Sequence, residues 1–176
     1  MTTQYILESQ LALLLAGLQP ENRLVCRVIL YTGLRVGDVL ALQRDQLARC
    51  FSITEQKTGK RRRVGLSDQL IHEITRRAGS SPWAFPSPKD ATKPRTRQAV
   101  WADIHRTAKA LRLHVTAGTH SMRKNYAVDL MDKYGDIERV RKALNHSNPT
   151  VTVLYALADQ LVQTYDERRA LFRRKR

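Results

Sequence analysis

The chain has 176 residues, 42% of them apolar, and its 31 Lys and Arg outnumber 16 Asp and Glu to give a net charge of +15. That length supports one domain burying roughly two-thirds of its unfolded surface, would cramp a second full one, and with this apolar content excludes a disordered basic tail. An excess of this size suits a polyanion, nucleic acid being the commonest, although ribosomal proteins and membrane-surface binders carry similar charge.

Cys26 and Cys50 stand far apart without metal-ligand spacing and read as two reduced thiols of an intracellular protein. No apolar run approaches the ~20 residues needed to cross a bilayer. The opening MTTQYILESQ lacks the basic region and apolar core of a signal peptide, so a cytoplasmic protein is expected, with no membrane partner.

In chain order, LESQLALLLAGL (7–18) has helical period and ends at Gly17. Pro20 suits the first position of a second helix, PENRLVCRVILYTG, which Gly33 closes. Arg35 then lies just past a helix end. Helical spacing resumes from Val36 to Leu47, with Val39, Leu40, Leu42 and Leu47 pointing inward. The period changes at CFSITEQ (50–56) and RRRVGL (61–66), two strand-like runs around KTGK, a hairpin signal with glycine in its turn. Ser67 and Asp68 offer a cap for a helix to about Arg77.

GSSPWAFPSPKDATKP (79–94) holds four of the six prolines and reads as a loop. Thr96 caps an amphipathic helix, TRQAVWADIHRTAKALRL, and a break at 116–118 precedes a helix over 119–134. Asp136 starts another, ending near Asn145, and 159–172 looks helical. The expected class is mostly α with one small antiparallel β-hairpin.

Several residues carry possible chemistry. Arg35 offers a planar fork of donors that fits two phosphate oxygens, with Asp38 placed to hold it; a plain surface Arg–Asp pair is the alternative. His120 and Arg123, at i and i+3, share one helix face, where an imidazole can move a proton and an arginine can neutralise developing charge; a solvated face would have the same spacing. Lys57, on the hairpin tip, can protonate a departing alkoxide if its pKa is lowered. Lys60, Arg61, Arg62 and Arg63 follow it as a phosphate-contacting patch, and Lys124 adds a cation beside Arg123. His146 is followed nine residues later by Tyr155, whose hydroxyl, with an ordinary pKa of ~10, needs cationic neighbours to act as a nucleophile. Read alone, Tyr155 is better explained as a core aromatic of VTVLYALA.

Order and spacing together are more specific. TGLR (32–35), a hairpin lysine, HSMR (120–123), and His146 with Tyr155 resemble the signature of the tyrosine recombinases, the phage integrase family, over about residues 5–160. The resemblance implies that family's catalytic-domain fold (α+β) and assigns catalysis to Arg35, Lys57, His120, Arg123, His146 and Tyr155. Tyr155 would attack a scissile phosphate of double-stranded DNA and form a 3′-phosphotyrosine, and strand exchange and religation would follow without ATP, metal or other cofactor. The sequence departs from the family at Asn145, where glycine is usual, at Asp38, where glutamate is commoner, and at Lys124, where histidine or arginine is usual. Type IB topoisomerase-like relaxation and a non-catalytic DNA-binding protein on the same fold are the alternatives.

The resemblance also implies a homo-tetramer on paired DNA sites, weakly associated or monomeric without DNA. The expected organisation is a single catalytic domain over 1–176 without the family's N-terminal core-binding domain. A tail over 158–176 would dock on a neighbouring subunit or fold back on its own domain.

Overall fold

Pro20 occupies the first turn of a helix, where its missing N–H costs nothing, and the thirteen residues it opens form the centre of the molecule. In this computed structural model, which describes residues 3–144, that helix is α2 (Pro20–Thr32), preceded by α1 (Glu8–Gly17). Asn22, Leu24, Val25, Cys26, Val28, Ile29 and Thr32 are all buried, so α2 is enclosed on several sides. It packs against α1, α4 (Asp68–Ala78), α5 (Arg97–Ala110) and α6 (Thr119–Tyr134). Each apolar side chain withdrawn from water there is worth about 1.5–3 kcal/mol. The same burial pushes the Cys26 thiol up to about 12, with Asp103 adding to the effect, so the thiol stays protonated.

Gly33 ends α2 in the left-handed region at φ 64°, its N–H bonded to the Ile29 carbonyl at 2.7 Å. The next helix, α3, spans Val36–Leu40, well short of the stretch to Leu47 that spacing suggests. Its N–H and C=O groups find other partners: the Leu42 carbonyl accepts the Ala84 amide at 2.9 Å, and Gln43 bridges Trp83. The chain therefore peels away after Leu40 into a 3-10 turn at Arg44–Gln46. Val39, Leu40 and Leu42 are buried as expected, and Leu47 is partly so.

The hairpin forms as β1 (Phe51–Thr54) against antiparallel β2 (Arg61–Val64), with Phe51 opposite Val64 and Ile53 opposite Arg62. Ser67 caps α4 by accepting the Leu70 amide at 3.3 Å, and Thr96 caps α5 by accepting that of Ala99 at 3.1 Å. α5 stops at Ala110 rather than Leu113, where the chain turns through Arg112 at φ 52°.

α6 is strapped to the N-terminal segment: Asn125 accepts the Ile6 amide at 3.2 Å and donates to the Ile6 carbonyl at 2.6 Å. Asp136 accepts the amides of Glu138 and Arg139 and so starts α7 (Ile137–Leu144). The helix expected over 159–172 and the docking of the tail lie outside the described residues. Among the described residues no helix is long and apolar enough to cross a membrane.

Candidate active site

Three separate pieces of chain supply the residues singled out from sequence. Arg35 occupies the position before α3 in extended backbone (φ −72°, ψ 147°), because the left-handed Gly33 has just reversed the direction of α2. Lys57 sits in the turn between β1 and β2, closed by the Gly59 amide on the Glu55 carbonyl (2.8 Å) and the Glu55 amide on the Lys60 carbonyl (3.0 Å). His120 and Arg123 lie within the first two turns of α6. All four line one open cleft of about 440 Å³, together with Asp38 and Arg97.

The partner of Arg35 is not Asp38. Its Nη1 donates to Oε2 of Glu55 at 2.7 Å, and Glu55 is wholly buried. Thr58 Oγ1 donates to the same oxygen at 2.9 Å, and Arg62 Nη1 lies 3.6 Å from Oε1. Asp38 instead holds the hairpin: its Oδ1 accepts the backbone N–H of Gln56 at 2.9 Å. The i, i+3 spacing that suggested an Arg35–Asp38 pair requires a continuous helix, and Arg35 lies outside the first turn of α3, in extended backbone.

Among the described residues Arg123 is the most enclosed cation, 7% exposed, donating to the carbonyls of Gly33 and Leu144 at 2.5 Å each. Burial and then the neighbouring charges of Arg35 and Arg62 lower its guanidinium to about 10, against the opposing pull of Glu55 and Asp38. It remains charged at neutral pH. His120 keeps an exposed edge, yet loss of water around its ring, followed by the charges of Arg123, Arg35, Lys57 and Lys124, holds its pKa below the usual imidazole value. A neutral imidazole offers one donor and one acceptor. The cleft thus presents several cations and a neutral proton carrier, which suits an anion with several oxygens, such as a phosphodiester.

The basic patch behind Lys57 is split. Lys60, Arg61 and Arg63 are exposed, whereas Arg62 turns inward, donating to the Thr32 carbonyl and flanking Glu55. The pleat accounts for this, since Arg62 shares the inner face with Val64. Lys124 also departs from the expected surface contact: its Nζ donates to the Thr3 carbonyl at 2.6 Å. His146 and Tyr155 lie outside the described residues.

Two residues, one buried behind the cleft and one lining it, were not singled out from the sequence. Glu55 continues the inward alternation of Phe51 and Ile53, so a carboxylate at an apolar-facing position was the available signal. Arg97 follows the Thr96 cap and lines the cleft, a placement that only tertiary contact reveals. Among the described residues no group of three or more His, Cys, Asp or Glu is arranged to hold a metal ion.

Comparison with known proteins fits this geometry. Residues 4–161 match the model of the phage integrase family, and the chain belongs to that family. It is 29% identical over 134 residues to the probable integrase/recombinase YoeC of Bacillus subtilis, covering 73% of each chain. It is 28% identical over 146 residues to the tyrosine recombinase XerA of Pyrococcus horikoshii, covering 77% of this chain and 50% of that one. The chain therefore spans about three-quarters of the first relative and half of the second.

The fold is that of tyrosine recombinase catalytic domains. The catalytic domain of bacteriophage HP1 integrase superposes with a TM-score of 0.67 at 22% identity, covering 88% of both chains. The recombinase XerH, solved bound to its difH substrate before cleavage, superposes at 0.69 and 20% identity, covering 86% of this chain and 50% of that one.

Proposed function

We propose that this chain is the catalytic part of a site-specific recombinase that cuts and rejoins double-stranded DNA through Tyr155. The observation that carries the reading is the meeting of Arg35, Lys57, His120 and Arg123 on one open cleft from elements far apart in sequence. Arg35 and Arg123 hold the non-bridging oxygens of the scissile phosphate, where fixed cations offset the charge that develops in the transition state. Their field also favours the phenolate of Tyr155, which attacks phosphorus and forms a 3′-phosphotyrosine.

Lys57 gives its proton to the departing 5′-oxygen, and His120 and His146 assist proton transfer. Leu144, two residues before His146, is tied to Arg123 through its carbonyl, which supports His146 as a member of the same site. The covalent link conserves the phosphodiester energy, so a 5′-hydroxyl from a partner strand reseals it without ATP or metal. The net charge of +15 and the DNA-bound state of XerH support double-stranded DNA as the partner. Exposed Lys60, Arg61 and Arg63 contact phosphates beside the cleft. The active form is a homo-tetramer on paired sites in the cytoplasm.

A test is incubation with a duplex nicked near the scissile phosphate, so that the cut fragment diffuses away and the covalent complex accumulates. A protein–DNA adduct resistant to denaturation is expected, and Arg35→Ala or Arg123→Ala should reduce it by about 100-fold or more. DNA binding without any adduct would leave only the non-catalytic reading.

A further inference from the structure

Lys57 stands on an exposed turn whose internal hydrogen bonds run to Glu55, Thr58 and Lys60 within the hairpin. Residues 56–60 are all exposed, and a Cβ built on Gly59 would meet nothing within 4 Å. A proton donor placed this way needs an external restraint, because misplacement by about 1 Å can cost 100-fold in rate.

Besides the Arg35–Glu55 pair at the base of the turn, two contacts from outside the hairpin fall on Gln56, the neighbour of Lys57. Its backbone N–H donates to Asp38 Oδ1 at 2.9 Å, which ties it to α3. Its side-chain Oε1 accepts from Arg97 Nη2 at 3.2 Å, which ties it to the start of α5. The Arg97 guanidinium in turn lies close against Gly37: a Cβ there would come within 2.3 Å of Nη2 and 2.8 Å of Cζ. The absence of a side chain at position 37 is what lets the arginine cross α3 to reach the hairpin.

Helix stability does not account for Arg97. A cation in the first turn opposes the helix dipole, and α5 has no acidic residue there to offset it. Arg97 also shares its cleft with Arg35, Lys57 and Arg123, an arrangement of like charges that repel one another.

From this geometry we infer that Arg97 is a positioning residue: seated on Gly37 and bonded to Gln56, it holds the Lys57 turn over the cleft. The inference rests on Lys57 as the proton donor of the proposed reaction.

The test compares cleavage of two nicked duplexes, one normal and one with sulfur in place of the leaving 5′-oxygen, which departs without a proton. Arg97→Ala should slow the normal substrate about tenfold and the sulfur substrate less than about twofold, a fraction of what loss of a general acid costs. Adding Arg97→Ala to Lys57→Ala should produce no further loss. Gly37→Ala should reproduce Arg97→Ala, because its methyl displaces the guanidinium while leaving the arginine in the chain.

Equal slowing of both substrates by Arg97→Ala would make Arg97 a simple phosphate contact and overturn the proposal. So would unchanged rates. Hydrogen exchange of the backbone amides of 55–60, measured without DNA, tests the restraint apart from the chemistry. Faster exchange in both Arg97→Ala and Gly37→Ala is expected, and unaltered exchange contradicts the proposal. If Lys57→Ala itself slows both substrates equally, the proton-donor reading fails, and the exchange rates still decide whether Arg97 holds the turn.

Discussion

Glu55 lies wholly buried with its Oε2 2.7 Å from Nη1 of Arg35, twenty residues earlier in the chain. That pair joins the end of β1 to the residue preceding α3, and Arg62 closes on the other carboxylate oxygen at 3.6 Å. One carboxylate therefore holds two arginines in place beside a third, Arg123.

Removing that carboxylate leaves three guanidinium groups facing one another with little water to screen them. Breaking a buried pair by deleting one partner costs about 3–5 kcal/mol. Because the Arg35 side chain is 19% exposed, Glu55→Ala should sit near the lower end, about 3 kcal/mol, by urea unfolding. Glu55→Gln, which keeps the shape, should cost less. A loss under about 0.5 kcal/mol for Glu55→Ala would mean that Arg35 is held by something else.

Gly33 and Gly135 give a paired comparison. Both end helices in the left-handed region, at φ 64° and 62°. A Cβ at Gly135 meets nothing within 4 Å, whereas one at Gly33 would lie 2.2 Å from Cε1 of the Tyr126 ring. Gly135→Ala should therefore cost about 1–2 kcal/mol, the backbone penalty alone. Gly33→Ala should cost clearly more, since Tyr126 must move and the Gly33 carbonyl that accepts from Arg123 moves with it. Equal losses in thermal unfolding would show that the Tyr126 contact yields freely.

His120 links the site to pH. Its pKa is lowered by burial and by four cations, so near pH 6 the unfolded chain binds more protons than the native one. The stability this group contributes is present above the unfolded value of 6.5 and is lost as the pH falls through the lower folded value. Melting temperature should drop between about pH 7 and pH 5.5, above the range where most carboxylates titrate, and His120→Asn should flatten that slope. An unchanged slope in the variant would remove His120 as the responsible group.

Much of this arrangement is legible from local rules. Pro20, Gly33, Ser67, Thr96 and Asp136 each mark a helix boundary through their own backbone or side-chain chemistry, and the elements form there. The hairpin is equally local, with its alternating strands and glycine turn. What escaped depends on contacts between distant segments. α3 ends at Leu40 because Leu42 and Gln43 pair with residues 83–84, and no helical period records that. Glu55 takes the role expected of Asp38, because nearness in sequence was a poor guide to which carboxylate a guanidinium reaches. The inward turn of Arg62 was within reach of the pleat rule, but its position in a run of four cations favoured a solvent-facing reading. Arg97 carried no such local signal.

A cleft of this make-up serves a tyrosine nucleophile in the reaction proposed above. The most direct measurement is digestion of the covalent adduct formed on a nicked duplex, with mass spectrometry to locate the DNA-bearing residue. The expected result is a phosphotyrosyl link at Tyr155, its loss in Tyr155→Phe, and DNA affinity in that variant close to that of the unaltered chain. A link at Tyr165 or any other residue, or an adduct that survives Tyr155→Phe, would contradict it.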